Sequence, residues 1–291
     1  MNTPSRPRAT KIICTIGPAT DTSDMLGQLI EAGANVFRLN MSHSKHDWVR
    51  EVVFRIRRKA AELEANVAIL FDLQGPSIRT GDLAEPYHLK KGDTVEIRLG
   101  TAKPELPFST TVNYDGLLQD VQAGHTMVVD NGGILMRIAE VRPDRLICDV
   151  LTEGVFGSRR HINLPGVALR LPALTEKDLA DLAVAVECET DYVAMSFVRD
   201  AAHIAQLREH IDNLGGKAQI VAKIEDQQAV RHIDDIILAA DVIMVARGDL
   251  GIEVSIEELP IIQRRIVRHC HRLGRRCIVA THMLESMITQ P

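Results

Sequence analysis

MVARGDLGIE, residues 244–253, carries an apolar run that begins at Val242 straight into Arg247, Gly248 and Asp249. A run with no polar alternation is what a strand covered on both faces requires, as in a parallel sheet flanked by helices. Gly-Asp is ordinary turn chemistry. Asp249 therefore reads either as the cap of a following helix or as a ligand aimed into a site.

Working outward, the same pattern recurs at KIICTIG (11–17), NVFRLNMS (35–42), VAILFDL (67–73), YVAMSFV (192–198), QIVAKIE (219–225), VIMVARG (242–248) and CIVATHM (277–283). Helical patterns lie between these runs, at 22–32, 46–64, 176–188, 200–214, 227–239 and 256–273. Met25, Leu26, Leu29 and Ile30 make one stripe that stops at Gly33, and Thr175 with Asp178 has the form of a capping box. Strand and helix in alternation predict an α/β fold with a parallel sheet, a (β/α)8-type TIM barrel.

Residues 76–172 break the rhythm with short alternating strands, and turn signals at Lys91-Gly92, Asn131-Gly132-Gly133 and Pro143-Asp144 separate them. They read as an inserted β-rich lid domain. Pro76 and the NLPG turn (163–166) mark its hinges, and residues 1–75 and 173–291 make the barrel domain. Seven barrel strands are expected, with the eighth lacking and an open barrel edge as the result.

Bulk properties narrow the function classes. A net charge of −5 gives no support to a broad nucleic-acid surface, so an anionic ligand needs a local basic pocket. The five cysteines (Cys14, Cys148, Cys188, Cys270, Cys277) form no C-x-x-C pair, which argues against a disulfide framework or a zinc ribbon. His269-Cys270-His271 spreads over different helix faces and reads as a solvated helix end. The polar N-terminus and the lack of a long apolar run predict a cytoplasmic protein with no membrane association.

In βα barrels the polar residues at the C-terminal ends of the strands face the active site. Here those ends supply Arg38, Asn40 and Ser42, then Asp72, then Lys223 and Glu225, then Gly248 and Asp249, and finally Thr281. Lys223 and Glu225 are two apart and share one face of their strand. One reading is a structural ion pair. The other is that Glu225 and Asp249 hold a divalent metal while Lys223 faces a transferring anion, since hard oxygen ligands few in number, completed by substrate phosphate, are what Mg²⁺ prefers.

KIICTIGPAT (11–20), VFRLNMSH (36–43), DLQGPSIRTG (72–81), INLPG (162–166), AKIE (222–225), MVARGDLGIE (244–253) and ATHMLESM (280–287) together resemble the blocks of the pyruvate kinase family, in order and at family-like spacing. The resemblance covers residues 10–291 and implies phosphoryl transfer from phosphoenolpyruvate to ADP, giving pyruvate and ATP in glycolysis. It implies that Arg38 grips the substrate phosphate and that Lys223 stabilises charge on the phosphoryl group in flight. Glu225 and Asp249 would hold Mg²⁺ (or Mn²⁺), the Gly248 and Asp249 amides would receive the substrate carboxylate, and Thr281 would sit near the carbon that is protonated. Asn40, Ser42, His43, Arg79 and Arg160 match nucleotide positions, with Arg160 replacing a usual lysine. Asn40, Ser42, Asp72 and Leu73 match a potassium site. A homo-oligomer, a tetramer in the family, is also implied.

The sequence departs from the family in places. Leu73 and Gln74 follow potassium-independent members while Ser77 follows neither kind, which argues against an obligatory K⁺ requirement. Asp226 replaces a common asparagine, and His282 a usual glutamine. Arg247 reads as a structural anchor. The family's last barrel elements and C-terminal domain are not represented. The alternative reading is therefore a truncated, inactive pyruvate kinase remnant that only binds metal, nucleotide or a partner subunit.

Overall fold

The computed structural model describes residues 9–281 and residue 288 of the chain. Most of the ATHMLESM block, with His282, lies outside the described residues. So does the start of the chain. In chain order the elements begin with β1 (Ile13–Ile16), α1 (Ser23–Glu31), β2 (Val36–Asn40), α2 (His46–Glu62) and β3 (Ala68–Asp72). Next come β4 (Tyr87–Leu89), β5 (Thr94–Arg98), β6 (Phe108–Thr111), α3 (Leu117–Asp120), β7 (Thr126–Val129), β8 (Ile134–Val141), β9 (Arg145–Val150), β10 (Gly154–Phe156) and β11 (Ile162–Asn163). The chain continues with α4 (Glu176–Glu187), β12 (Tyr192–Met195), α5 (Ala201–Asn213), β13 (Gln219–Ile224), α6 (Gln227–Arg231) and α7 (Ile233–Ala239). It closes with β14 (Val242–Val245), α8 (Arg247–Glu253), α9 (Leu259–Arg272) and β15 (Arg276–Val279).

All seven expected parallel strands form (β1, β2, β3, β12, β13, β14, β15). Their succession with helices is that of a (β/α)8 barrel, and no eighth such strand occurs among the described residues. The chain divides into two compact units. The first comprises the chain up to Gly75 with Leu174–Ser196 and Ile204–Ala222, and the second comprises Pro76–Ala173, Phe197–His203 and the chain from Lys223 onward.

In the first unit the strands lie in the order β1-β2-β3-β12-β13, with Arg38 opposite Thr15 and Asn40 opposite Asp72. Val49, Val52, Val53, Ile56 and Ala60 form the buried face of α2. Side chains of the Val/Ile kind contribute about 1.5–3 kcal/mol each when fully buried. The capping box of α4 is present: Thr175 Oγ1 accepts from the Asp178 amide, and Asp178 Oδ2 accepts from the Thr175 amide at 2.9 Å. Asp178 Oδ1 also accepts from the Gly75 amide at 3.0 Å, just where the chain leaves for the insertion.

In the second unit, residues of the insertion build a six-stranded sheet in the order β11-β7-β8-β9-β5-β6 and a two-stranded β10-β4 ribbon. Alternation sets the buried face here: in β8, Ile134, Met136 and Ile138 point into a core with Val95, Ile97, Leu146, Cys148 and Phe156. Arg145 Nη1 donates to Glu96 Oε2 at 2.8 Å within that layer. β14 and β15 pair in parallel in the same unit.

Two local expectations are corrected and one is met. The helix read at 227–239 is two helices broken at His232, whose backbone (φ −98°, ψ 21°) leaves the α region. RGDLGIE (247–253) forms the short helix α8, a stretch too brief and glycine-rich for periodicity to reveal. The His-Cys-His stretch lies in the last turn of α9 and spreads over different faces as expected, with His271 exposed, His269 Nδ1 paired with the exposed Asp234 and only Cys270 turned to the core.

Candidate active site

The first unit holds one group of the expected residues at the ends of β2 and β3. Arg38 is held from both sides: Nε and Nη2 donate to Asp72 Oδ2 at 2.7 and 2.6 Å, and Nη1 donates to Thr15 Oγ1 at 2.9 Å. Asp72 is buried while the guanidinium keeps about a quarter of its surface, so its planar fork is fixed yet open to an anion. Asn40 Oδ1 accepts from the Ser42 amide at 3.2 Å, which closes the turn after β2 and leaves His43 exposed. Ser196 Oγ donates to the Leu73 carbonyl at 2.8 Å.

The second unit holds the other expected residues. Lys223 Nζ lies 2.9 Å from Glu225 Oε1, with both side chains largely buried, as their shared strand face requires. The other oxygen of Glu225 accepts from the Phe197 amide at 2.6 Å. Burial pushes the Glu225 carboxyl up, and the negative charge of Asp249 adds to that push against the opposing charge of Lys223. Two carboxylates that repel each other, one of them buried beside a lysine, have the chemistry that a small divalent cation relieves. Among the described residues no group of three or more His, Cys, Asp and Glu is arranged to hold a metal. Two hard carboxylates are chemically suited to a small divalent cation such as Mg²⁺ where further oxygens complete its shell.

Asp249 stands in the first turn of α8, whose N-cap is Ala246 and which has no side-chain cap hydrogen bond. The capping reading of Asp249 is therefore removed. Arg247 Nε donates to the Ala280 carbonyl at 2.8 Å and Nη2 to the Thr281 carbonyl, tying the start of α8 to the end of β15. A Cβ built at Gly248 would meet only Thr281 Oγ1, at 3.7 Å. Among the described residues nothing in the packing demands glycine there. Thr281 adopts φ 74°, a left-handed backbone uncommon for a β-branched residue.

Arg79 and Arg160 come together on paired segments of the insertion, through a bridge between Arg79 and His161 and a Thr80 amide to Arg160 carbonyl bond of 2.9 Å. Arg160 packs so tightly over Gly157 that a Cβ there would lie 2.7 Å from Nε, and its Nη1 reaches Asp130 Oδ1 at 3.3 Å. Burial, with the Arg79 charge added, lowers His161 to about 4.

Sequence reasoning missed Phe197, Thr15 and Glu253. Phe197 has φ 55°, and this left-handed turn aims its amide at Glu225; the run YVAMSFV gave no sign of it. Glu253, the last residue of α8, is pushed up to about 7 by burial and by the charge of Asp226, against hydrogen bonds from the Gly166 amide and the Asn163 side chain.

The family model described as "Pyruvate kinase, barrel domain" matches residues 7–291. The chain is 41% identical to plastidial pyruvate kinase 2 of Arabidopsis thaliana over 99% of its own length and 50% of that protein. It is 39% identical to a pyruvate kinase of Clostridium perfringens (97% of this chain, 60% of that one). A pyruvate kinase of Staphylococcus aureus is 37% identical (98% and 49%). The chain thus spans about half the length of the curated relatives it matches, and somewhat more of the clostridial one.

Proposed function

The chain belongs to the pyruvate kinase family, and on that premise we propose that it transfers the phosphoryl group of phosphoenolpyruvate to ADP, forming pyruvate and ATP. The observation that carries this reading is the buried Lys223–Glu225 pair at 2.9 Å, with Asp249 charged against the same carboxylate. A lysine kept this close to a buried acid is costly as mere structure, whereas phosphoryl transfer asks for just such a preorganised cation beside a metal ligand.

In this proposal Arg38, fixed by Thr15 and Asp72, grips the substrate phosphate. Lys223 stabilises charge on the group in flight. The Gly248 and Asp249 amides, in the first turn of α8 where backbone N–H groups lack helical partners, receive the substrate carboxylate. The open space at Gly248 supports that approach. Thr281 faces the carbon that accepts a proton. Asn40, Ser42, His43, Arg79 and Arg160 contact the nucleotide. Bound by Glu225 and Asp249, Mg²⁺ supplies positive charge to the phosphoryl oxygens. Asn40, Ser42, Asp72 and Leu73 are the candidate potassium ligands, and we propose that K⁺ is dispensable, given Leu73 and Gln74. Among the described residues no helix is long and apolar enough to cross a membrane. A cytoplasmic homo-oligomer is proposed.

The deciding experiment is pyruvate formation from phosphoenolpyruvate, ADP and Mg²⁺ by this chain and by Lys223→Met. Turnover is expected to fall about 10²–10³-fold in the variant. Turnover that survives the substitution removes Lys223 from the mechanism. No turnover from folded chain replaces the reading with an inactive relative that binds metal, nucleotide or a partner subunit.

A further inference from the structure

Asp181 lies fully buried on α4 in the first unit and has no part in the roles given above. Its Oδ1 is 2.7 Å from His46 Nε2, at the first residue of α2. Its Oδ2 accepts from Lys177 Nζ at 2.6 Å, one turn back on α4. The same ammonium donates to the Met41 carbonyl at 2.7 Å. Lys177 and His46 are both part-exposed, so the buried acid is the inner anchor of two outer side chains.

What these contacts hold is the turn that follows β2. The Met41 amide donates to the Asp72 carbonyl at 3.0 Å, so with Lys177 on its carbonyl both backbone groups of this buried residue are fixed. Met41 sits between Asn40 and Ser42. Ser44 Oγ donates to the Asn40 carbonyl at 2.8 Å, and Asn40 Oδ1 accepts from the Ser42 amide, which closes the turn from within. Docking of the two helices has its own tie: Arg50 grips both oxygens of Glu187, at 2.9 and 2.7 Å, on the exposed side. A buried charge at 181 is costly if its work is only to fill space, which an apolar residue does better. α4 buries a second carboxylate, Asp178, and that one reaches the Gly75 amide beyond β3. The start of α4 thus holds the segments that follow both β2 and β3.

We propose that Asp181 is a positioning residue for the turn 40–44. It keeps Lys177 on the Met41 carbonyl and His46 at the head of α2, and so fixes the direction in which Asn40, Ser42 and His43 meet the nucleotide. The inference rests on the kinase reading for what the turn binds, but not for the hold on the turn. Charge-assisted hydrogen bonds are the strong ones. An asparagine at 181 keeps the shape, but only one of its two terminal groups can accept. A misplacement of about 1 Å, arising away from the chemistry, is enough to impair a site.

The test is hydrogen–deuterium exchange of the whole 291-residue chain. Asp181→Asn and Lys177→Met are each expected to speed exchange of 41–46 by about 10-fold, with the double variant no faster than the faster single one. Arg50→Ala, which breaks the outer tie between the same helices, stays within about 3-fold of the parent there. Unaltered exchange at 41–46, an additive double variant, equal acceleration throughout the chain, or the same acceleration in Arg50→Ala overturns the hold. Should Asp181→Asn fail to fold, Lys177→Met, changed at a part-exposed position, decides by the same readouts. A second arm measures pyruvate formation from phosphoenolpyruvate, ADP and Mg²⁺. Asp181→Asn and Lys177→Met are expected to raise KM for ADP about 10-fold, with kcat and KM for phosphoenolpyruvate within about 3-fold of the parent, and Lys177→Arg to restore it. A fall in kcat alone, or an equal rise in both KM values, overturns the positioning of the nucleotide. If the parent makes no pyruvate, ADP with Mg²⁺ titrated against exchange of 41–46 takes the place of KM. Equal ADP demand in parent and variants overturns the nucleotide half, and no protection of the parent removes it together with the kinase reading, while the exchange ratios still decide the hold.

Discussion

The backbone N–H of Phe197 donates to Glu225 Oε2 at 2.6 Å from a left-handed conformation, φ 55°. Such a backbone costs a bulky residue about 1–3 kcal/mol and persists only where its surroundings enforce it. One oxygen of Glu225 is thereby fixed by backbone and the other by Lys223. Glu225→Gln keeps the shape and removes the charge. Mg²⁺-dependent pyruvate formation is expected to fall by about 10²-fold or more while the fold persists. Coupled-assay kinetics alongside a melting curve check this, and a fully active glutamine variant would take Glu225 out of the metal site.

His161 gives a pH signature. Burial and the Arg79 charge lower its titration to about 4 from an ordinary 6.5. Between those values the unfolded chain binds more protons than the folded one, so stability falls as pH drops from 6.5 towards 4. Denaturant midpoints at pH 7 and pH 5 should shift less in His161→Phe than in the parent. Identical shifts would contradict the assignment.

Glu96 and Arg145 make a buried ion pair inside the insertion, 2.8 Å apart. Burial works against the charged Glu96, but hydrogen bonds from Ser109, the Glu105 and Leu106 amides and Arg145 outweigh it and hold the carboxyl below its ordinary value. Its stabilising contribution is present above the usual carboxylate range and fades as pH falls through the lowered value. Arg145→Met strands the acid and should lower the unfolding midpoint by roughly 5 °C or more. A Glu96→Met/Arg145→Met double variant should recover most of that loss, and failure to recover would mean that the pair itself is stabilising.

Asp178 serves both the capping box of α4 and the Gly75 amide, and it is fully buried. Thr175→Ala is expected to cost about 1 kcal/mol. Asp178→Ala should cost more, ~2–3 kcal/mol, because the buried Gly75 donor loses its partner too. Urea titration ranks the two, and equal losses would show that the Gly75 contact contributes nothing.

Much of this fold was legible because strands covered on both faces leave unbroken apolar runs, and β12 and β14 are buried as those runs require. Thr175 and Asp178 were readable as a cap because that signal is local. Lys223 and Glu225 were readable as neighbours because strand alternation alone puts them on one face. What escaped depends on distant partners. The left-handed turn at Phe197 exists because Glu225 accepts its amide, 28 residues away. Thr15 matters to Arg38 only through the β1–β2 register. α8 is too short for any periodicity, and the burial of Cys270 depends on what α9 packs against.

Strand pairing across the insertion also bears on the order in which the chain assembles. The Ile69 amide meets Asp191 Oδ2, and β3 lies beside β12, across 122 residues of sequence. Closing a loop that long from a disordered chain is slow even when its equilibrium cost is modest. The insertion draws its own ends together through Ile78 and Ile162. With those β strands formed, the long detour becomes a short one, and the loop-closure cost of docking β12 on β3 is correspondingly smaller.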